Sequence, residues 1–251
     1  MQERREAILK FIEAGGEVSI AALAERFSNW SEMTIRRDLA FLEKERAIIL
    51  TRGGARAVGR SFGMSEDFYS EREQRNREAK MAVAAKAANL IEPGKAVFID
   101  SGSTAMALAR LMPDRNGIII TSAPNIALEL LRSKQLPQVI LLGGTLSRRS
   151  LAISAADLDS QLARFNIDIA FLGVSGFDLS AGCTVGSQED CFLKQQLLRR
   201  ARRSAVLLDS SKLGVTMPFT YARIAELGTV VSDGKLPAEA AAEIRKLTTL
   251  L

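Results

Sequence analysis

The sequence contains no histidine in 251 residues. That absence excludes Ser-His-Asp and Cys-His catalysis, zinc sites that need imidazole, and an imidazole pH switch. Cysteine is nearly as scarce. Cys183 and Cys191 are too few for a four-thiolate metal site or a secreted disulfide scaffold, and they read as two reduced, partly buried thiols. No metal site is expected. Long apolar runs are missing too: Ile118–Ile120 and Val139–Leu142 fall far short of the ~20 residues that cross a bilayer. The opening residues, Met1-Gln2-Glu3-Arg4-Arg5-Glu6, lack the apolar stretch of a signal peptide. A soluble, reduced, cytoplasmic protein with no membrane association is expected.

What is present is an ordinary globular composition, 47% hydrophobic and 25% charged, with a formal net charge of +5. The length suits one large domain or a small one plus a medium one. The charge is unevenly placed. Residues 36–60 carry Arg36, Arg37, Lys44, Arg46, Arg52, Arg56 and Arg60 against Asp38, Glu43 and Glu45, a net +4. Basic clusters bind phosphate-bearing partners. A second block, Arg199-Arg200-Ala201-Arg202-Arg203, leads into an apolar strand and reads as a solvated helix face.

Ala7, Ile8, Phe11 and Ile12 recur at helical spacing, and Gly15-Gly16 end that helix. Ser19 is an N-cap for a second helix carrying Ala22, Leu23, Ala24 and Phe27. Ser31 caps a third, with Ile35, Leu39 and Leu42 on one face and Thr34, Arg36, Arg37 and Lys44 off it. Such a helix can enter the major groove, where Arg reads guanine edges and Thr or Ser reaches bases or phosphates. Two β-prone stretches around Gly53-Gly54 then read as a hairpin, with Arg52 and Arg56 near its tip. Three helices and a basic hairpin are a winged helix-turn-helix, and double-stranded DNA is the expected partner. The candidate contacts are Ser19, Ser31, Thr34, Arg36, Arg37, Arg52, Gly53, Gly54 and Arg56.

Residues 59–75 read as a linker after a DNA-binding domain at 1–58. From 76 to 251 short apolar strands alternate with amphipathic helices, the pattern of an α/β domain with a mainly parallel sheet covered on both faces. Ligands in such sheets bind at C-terminal strand ends. Three strand ends carry suitable chemistry. Asp100-Ser101-Gly102-Ser103-Thr104 opens a helix and suits a phosphate, the alternative being an ordinary turn with Ser or Thr as N-cap. It has neither a Gly-x-Gly-x-x-Gly nor a Gly-Lys-Thr run, so no nucleotide cofactor is expected. Gly173–Asp178, followed by Gly182, Thr184, Ser187 and Glu189, is either a loop holding sugar hydroxyls or a turn plus helix cap. Asp209-Ser210-Ser211-Lys212 offers an ammonium beside hydroxyls.

The residues Arg4-Arg5-x-x-Ile8-Leu9, Val18-Ser19, Leu23-Ala24-x-x-Phe27, Thr34-Ile35-Arg36-Arg37-Asp38-Leu39 and Gly53-Gly54-Ala55 resemble the DNA-binding domain of DeoR-type bacterial transcriptional regulators. Two features depart from the family pattern: one extra residue between Phe27 and Thr34, with Trp30 in the turn, and Arg52 where His often precedes Gly-Gly. Leu142-Gly143-Gly144 and the three strand ends resemble the effector domain of the same family, whose fold is similar to ribose-5-phosphate isomerase. The resemblance implies a homodimeric or homotetrameric regulator, a repressor, of a carbohydrate-metabolism operon, controlled by a phosphorylated sugar and without catalytic residues. The implied effector site is Asp100, Ser101, Gly102, Ser103, Thr104, Ser122, Gly143, Gly144, Asp178, Ser187, Glu189, Lys194 and Lys212. The phosphate would rest on Gly102–Thr104 and Lys212. Asp178, Glu189 and Lys194 would meet hydroxyls. The alternative is a sugar-phosphate isomerase or deaminase with a fused DNA-binding domain, in which Asp178 or Glu189 moves the proton.

Overall fold

The computed structural model describes residues 2–15, 17–44, 47–51, 53–57 and 67–251. They fall into two units, Met1–Gly63 and Met64–Leu251. Among the described residues no helix is long and apolar enough to cross a membrane.

The first unit contains α1 (Gln2–Gly15), β1 (Glu17–Ser19), α2 (Ile20–Arg26), α3 (Glu32–Lys44), β2 (Ile48–Thr51) and β3 (Gly54–Ala57). The apolar stripes meet in one core of Ile8, Ile12, Leu23, Ile35, Leu39, Leu42 and Ile48. Burying each large side chain is worth about 1.5–3 kcal/mol. The strands form an antiparallel sheet in the order β1-β3-β2, so the wing is a hairpin stitched to the strand before α2. The longer turn between α2 and α3 is filled by Trp30, whose ring stacks on Phe27 at 5.1 Å.

Asp38 is wholly buried, and both Arg4 and Arg5 of α1 donate to its carboxylate. An acid inside a basic motif thus ties α1 to α3. Burial works against the Asp38 charge, but the two guanidinium groups outweigh it and hold the carboxyl below its ordinary range. Asp38→Ala is expected to cost the unit about 2–3 kcal/mol, the scale of hydrogen bonds to charged groups. Because the folded pKa is lowered, this stabilisation is present above the ordinary carboxylate value of about 3.9 and lost as pH falls through the folded one. Acid melts of the wild type should therefore converge on those of the variant at low pH.

The second unit begins with α4 (Tyr69–Gln74) and α5 (Arg77–Ala88). The sequence pattern places residues 67–75 in the linker. They belong instead to this unit, because Tyr69 is buried in its core; the rest of the assigned linker, up to residue 66, lies outside the described residues. There follow β4 (Ala96–Ile99), α6 (Ser103–Leu111), β5 (Gly117–Thr121), α7 (Pro124–Ser133), β6 (Pro137–Leu141), β7 (Thr145–Leu146), β8 (Ile153–Ser154), α8 (Leu158–Leu162), β9 (Ile169–Gly173), β10 (Gly176–Asp178), β11 (Gly182–Val185), α9 (Gln188–Arg200), β12 (Arg203–Leu208), β13 (Phe219–Ala222), β14 (Thr229–Ser232), α10 (Ala238–Leu247) and β15 (Thr249–Leu250).

Seven strands form one parallel sheet in the order β15-β14-β12-β9-β4-β5-β6. Its two faces carry separate cores, one around Val97, Ile99 and Phe171, the other around Phe98, Leu172 and Val206. Alternating strand residues feed opposite faces, which is why these strands read as continuous apolar runs. The chain winds from β4 outward through β5 and β6, then returns to β9 and winds the other way. The switch point lies between β4 and β9, where such folds open a crevice.

Candidate functional site

On the DNA-binding unit, α3 presents Glu32, Met33, Arg36 and Arg37 to solvent while Ile35, Asp38, Leu39 and Leu42 face the core. Arg36 pairs with Glu32 at 2.7 Å on this face. Ser31 accepts from the Thr34 amide, and its hydroxyl shares a hydrogen bond with that of Thr34 at 2.9 Å, so the pair shapes the start of the helix. Ser19 caps α2 by accepting from Ala22. Gly53 is an exposed turn residue with φ of +95°. Gly54 is buried, and a Cβ there would lie 2.3 Å from the Val18 carbonyl, so it is a glycine because β3 lies against β1. Arg52 lies outside the described residues, and Arg56 is placed only as the partner of Glu17 and Ile49 in the sheet register. Met33, 77% exposed, was not anticipated; an apolar side chain there suits a thymine methyl.

On the second unit a cavity of about 310 Å³ opens at the switch point. Its floor is the turn after β4. Helix α6 starts at Gly102, whose φ is +105° and which makes no side-chain cap. The first amides of this nine-residue helix are thus left for something else to satisfy. Ser101, Gly102, Ser103 and Thr104 all line the cavity. Helix α9, by contrast, is capped by Ser187, which accepts from the Asp190 amide at 3.2 Å.

Five cationic side chains line the same cavity: Arg72, Lys80, Arg149, Lys194 and Lys212. Of these, sequence patterning had singled out only Lys194 and Lys212. The others come from α4, α5 and the β7–β8 connection, and nothing local marks them. A Cβ built on Gly102 would lie 3.7 Å from Arg72 Nη1, which puts that guanidinium against the α6 start. Lys80 donates to the Arg72 and Arg75 carbonyls at the end of α4. Burial, with the nearby charges of Lys212, Arg72 and Arg75, outweighs the pull of Asp209 and brings the Lys80 ammonium down to about 8.

Lys194 lines the cavity from within a buried ion-pair cluster. It is 2% exposed and pairs with Asp100 and with Asp190, the latter at 2.7 Å. Desolvation opposes its charge, yet the two carboxylates outweigh that and its pKa is raised. Asp100 itself does not line the cavity. It is buried, accepts from the Gly173 amide at 2.8 Å, and so joins β4 to β9 under the cavity floor.

Other expected contacts fall elsewhere. Asp178 sits in the β10–β11 hairpin, where its carboxylate accepts from Ser180 and Ala181; of the stretch read as a Gly-rich loop, Gly176–Asp178 forms a strand pair with β11 while Gly173, Val174 and Ser175 line the cavity. Ser122, Gly143 and Gly144 do not line the cavity. Ser122 is buried and its carbonyl holds the β8 amide of Ile153, Gly143 donates to Gln161, and a Cβ on Gly144 would meet the Ser154 carbonyl at 2.3 Å. They shape the β7–β8 hairpin rather than a ligand. The Ser210 and Ser211 hydroxyls are taken by Asp233 and Asp209, leaving Lys212 as the part of that turn that lines the cavity. Ser187 and Glu189 line the far side, with Ser147, Ser150 and Ser175.

The two cysteines are free and buried, and burial pushes the Cys183 thiol up to about 12. The basic block 199–203 is a paired surface, with Arg200 on Asp159 and Arg203 on Glu92.

Comparison with known proteins agrees with this division. Residues 4–60 match the DeoR-like helix-turn-helix domain, and residues 75–234 match the DeoR C terminal sensor domain. The HTH-type transcriptional regulator GlpR of Haloferax volcanii is 32% identical over 96% of this chain and 93% of its own. The HTH-type transcriptional repressor GlcR of Bacillus subtilis is 31% identical over 95% of this chain and 90% of its own. Among solved structures, ribose 5-phosphate isomerase A of Methanocaldococcus jannaschii overlays 55% of each chain at a TM-score of 0.41 and 19% identity. The helix-turn-helix unit, the sensor unit and their order in one chain place this protein in the DeoR family of transcriptional regulators.

Proposed function

We propose that this regulator is a repressor whose operator binding is controlled by a phosphorylated sugar bound at the β4–β9 crevice. The observation that carries the reading is an uncapped helix N-terminus in a cavity lined by Arg72, Lys80, Arg149 and Lys212. Free amides with a dipole behind them, and cations in front, suit a phosphate dianion. Glu189 and the serine hydroxyls on the other walls suit the hydroxyls of a sugar. The volume, about 310 Å³, is at the small end of ligand sites and fits one pentose or hexose phosphate. A protein that senses such a compound regulates genes that handle it, which supports a carbohydrate operon as the target. The relative named as a repressor supports the sign.

Sensing rather than turnover is favoured because Asp178, one of the two carboxylates that could move a proton in an isomerase, is engaged in its own hairpin and does not line the cavity. Operator readout by one short helix covers few base pairs, so two copies on a two-fold operator are expected.

The test is a thermal-shift screen of pentose and hexose phosphates, their unphosphorylated sugars and inorganic phosphate, repeated from pH 5 to 9. A ligand that binds the native state raises its melting temperature by mass action. Affinity should rise as the phosphate loses its second proton near pH ~6. It should fall again above about 8, as the unliganded Lys80 loses its charge and binding must first restore it. A shift with unphosphorylated sugars equal to that with their phosphates would contradict the reading.

A further inference from the structure

We infer that Arg72 is a ligand-binding residue carried by α4, and that α4 is the element through which an occupied cavity acts on the rest of the chain. This rests on the ligand class proposed above. Helix α4 is strapped across the crevice. At its start the Tyr69 amide donates to the Arg149 carbonyl at 2.8 Å, so it is tied to the β7–β8 connection. At its end Asn76 donates to the Ser211 hydroxyl at 2.8 Å, so it is tied to the turn that carries Lys212. Between these ties Arg72 reaches the α6 N-terminus beside Gly102. Lys80 of α5 holds the carbonyls of Arg72 and Arg75 from below.

Three of the cavity's cations, Arg72, Arg149 and Lys212, therefore belong to three different pieces of chain: α4, the β7–β8 connection and the 210–212 turn. An anion placed among them draws the three together, and α4 is joined to both of the others. Two further observations set these pieces apart. Among the described residues only Asn76 and Leu151 are non-glycine residues with positive φ, +51° and +54°. One lies at the α4–α5 joint and the other in the β7–β8 connection. Helix α4 is also the first described element after the DNA-binding unit in the chain. Whatever fixes α4 fixes the point from which the chain leads back to that unit. A ligand shifts an equilibrium only through differential contacts, and Arg72 supplies one that depends on where α4 lies.

Hydrogen exchange on the full-length protein tests this, with inorganic phosphate and the sugar phosphate of largest thermal shift as probes. In the wild type, saturating probe should slow exchange in residues 70–76 and 147–152 together. In Arg72→Gln, affinity for both probes should fall about tenfold or more, as expected for one charge-assisted contact. At concentrations that saturate this variant, 147–152 should still be protected and 70–76 should not. Arg72→Lys should restore part of the affinity, and unliganded melting temperatures matching the wild type show that the fold is intact. Equal protection of 70–76 in Arg72→Gln and wild type would overturn the inference, as would a thermal shift with no change at 70–76. If no phosphorylated compound shifts the melting temperature, the ligand reading fails and the inference falls with it.

Discussion

Lys194→Met is expected to destabilise the sensor unit by about 3–5 kcal/mol, the cost of removing one partner from a buried ion pair. Lys194 is 2% exposed and Asp100 fully buried. Without the ammonium, Asp100 keeps only the Gly173 amide as a donor at one oxygen, and its other oxygen has no hydrogen-bond partner even in the intact protein. A methionine fills the space but leaves the buried Asp100 carboxylate between β4 and β9 without its cation. For a domain of this size such a loss lowers the melting temperature by roughly 6–20 °C, at ~2–4 °C per kcal/mol. The raised pKa of Lys194 means that its contribution is present below the ordinary lysine value of about 10.4 and lost only above it. The wild-type pair therefore contributes in full at both pH 6 and pH 9. Calorimetry of the full chain measures this, and Lys194→Met with Asp100→Asn should recover part of the loss. A melting temperature within ~2 °C of wild type would show that the pair does not hold the crevice together.

The second large effect is on DNA. Arg37→Ala is expected to weaken operator binding by about 1–3 kcal/mol for each copy bound, or roughly 5-fold to 150-fold. Arg37 is on the exposed face of α3 and Arg36 beside it is paired with Glu32. Arg36 must give up that pair to reach DNA, so Arg36→Ala is expected to cost less. If Arg37 reads a base, its loss relaxes preference at one position; if it holds a phosphate, affinity falls uniformly and the salt dependence drops by about one unit. Fluorescence anisotropy on DNA selected from a random-sequence pool distinguishes these. Affinity unchanged in both variants would mean that α3 is not the reading helix.

How much of this was legible from the sequence depends on how local each signal is. The parallel strands were visible because burial on both faces leaves runs such as Ile118–Ile120. Ser19 and Ser31 were visible as caps because capping acts within three residues. The β7–β8 and β10–β11 hairpins were not: strands of two to four residues beside glycines look like binding loops, and Asp178 reads as a loop residue for that reason. Arg72, Lys80 and Arg149 were invisible as site residues. Each stands in a charged or serine-rich stretch that reads as solvated surface, and only the winding of the sheet brings them to Gly102. Asp38 looked like one acid among bases, because the contact that buries it comes from Arg4 and Arg5, more than thirty positions away.

The most direct test of the whole account is to titrate the sugar phosphates, with their unphosphorylated counterparts, into the complex of the full-length protein with its selected DNA. Coupling between two sites in one protein is typically ~1–3 kcal/mol, or about 5-fold to 150-fold in affinity. A phosphorylated compound that lowers DNA affinity by that much in the wild type, but not in Lys212→Ala, is the predicted result. DNA affinity that no phosphorylated compound alters, in a protein that binds its DNA tightly, would contradict it.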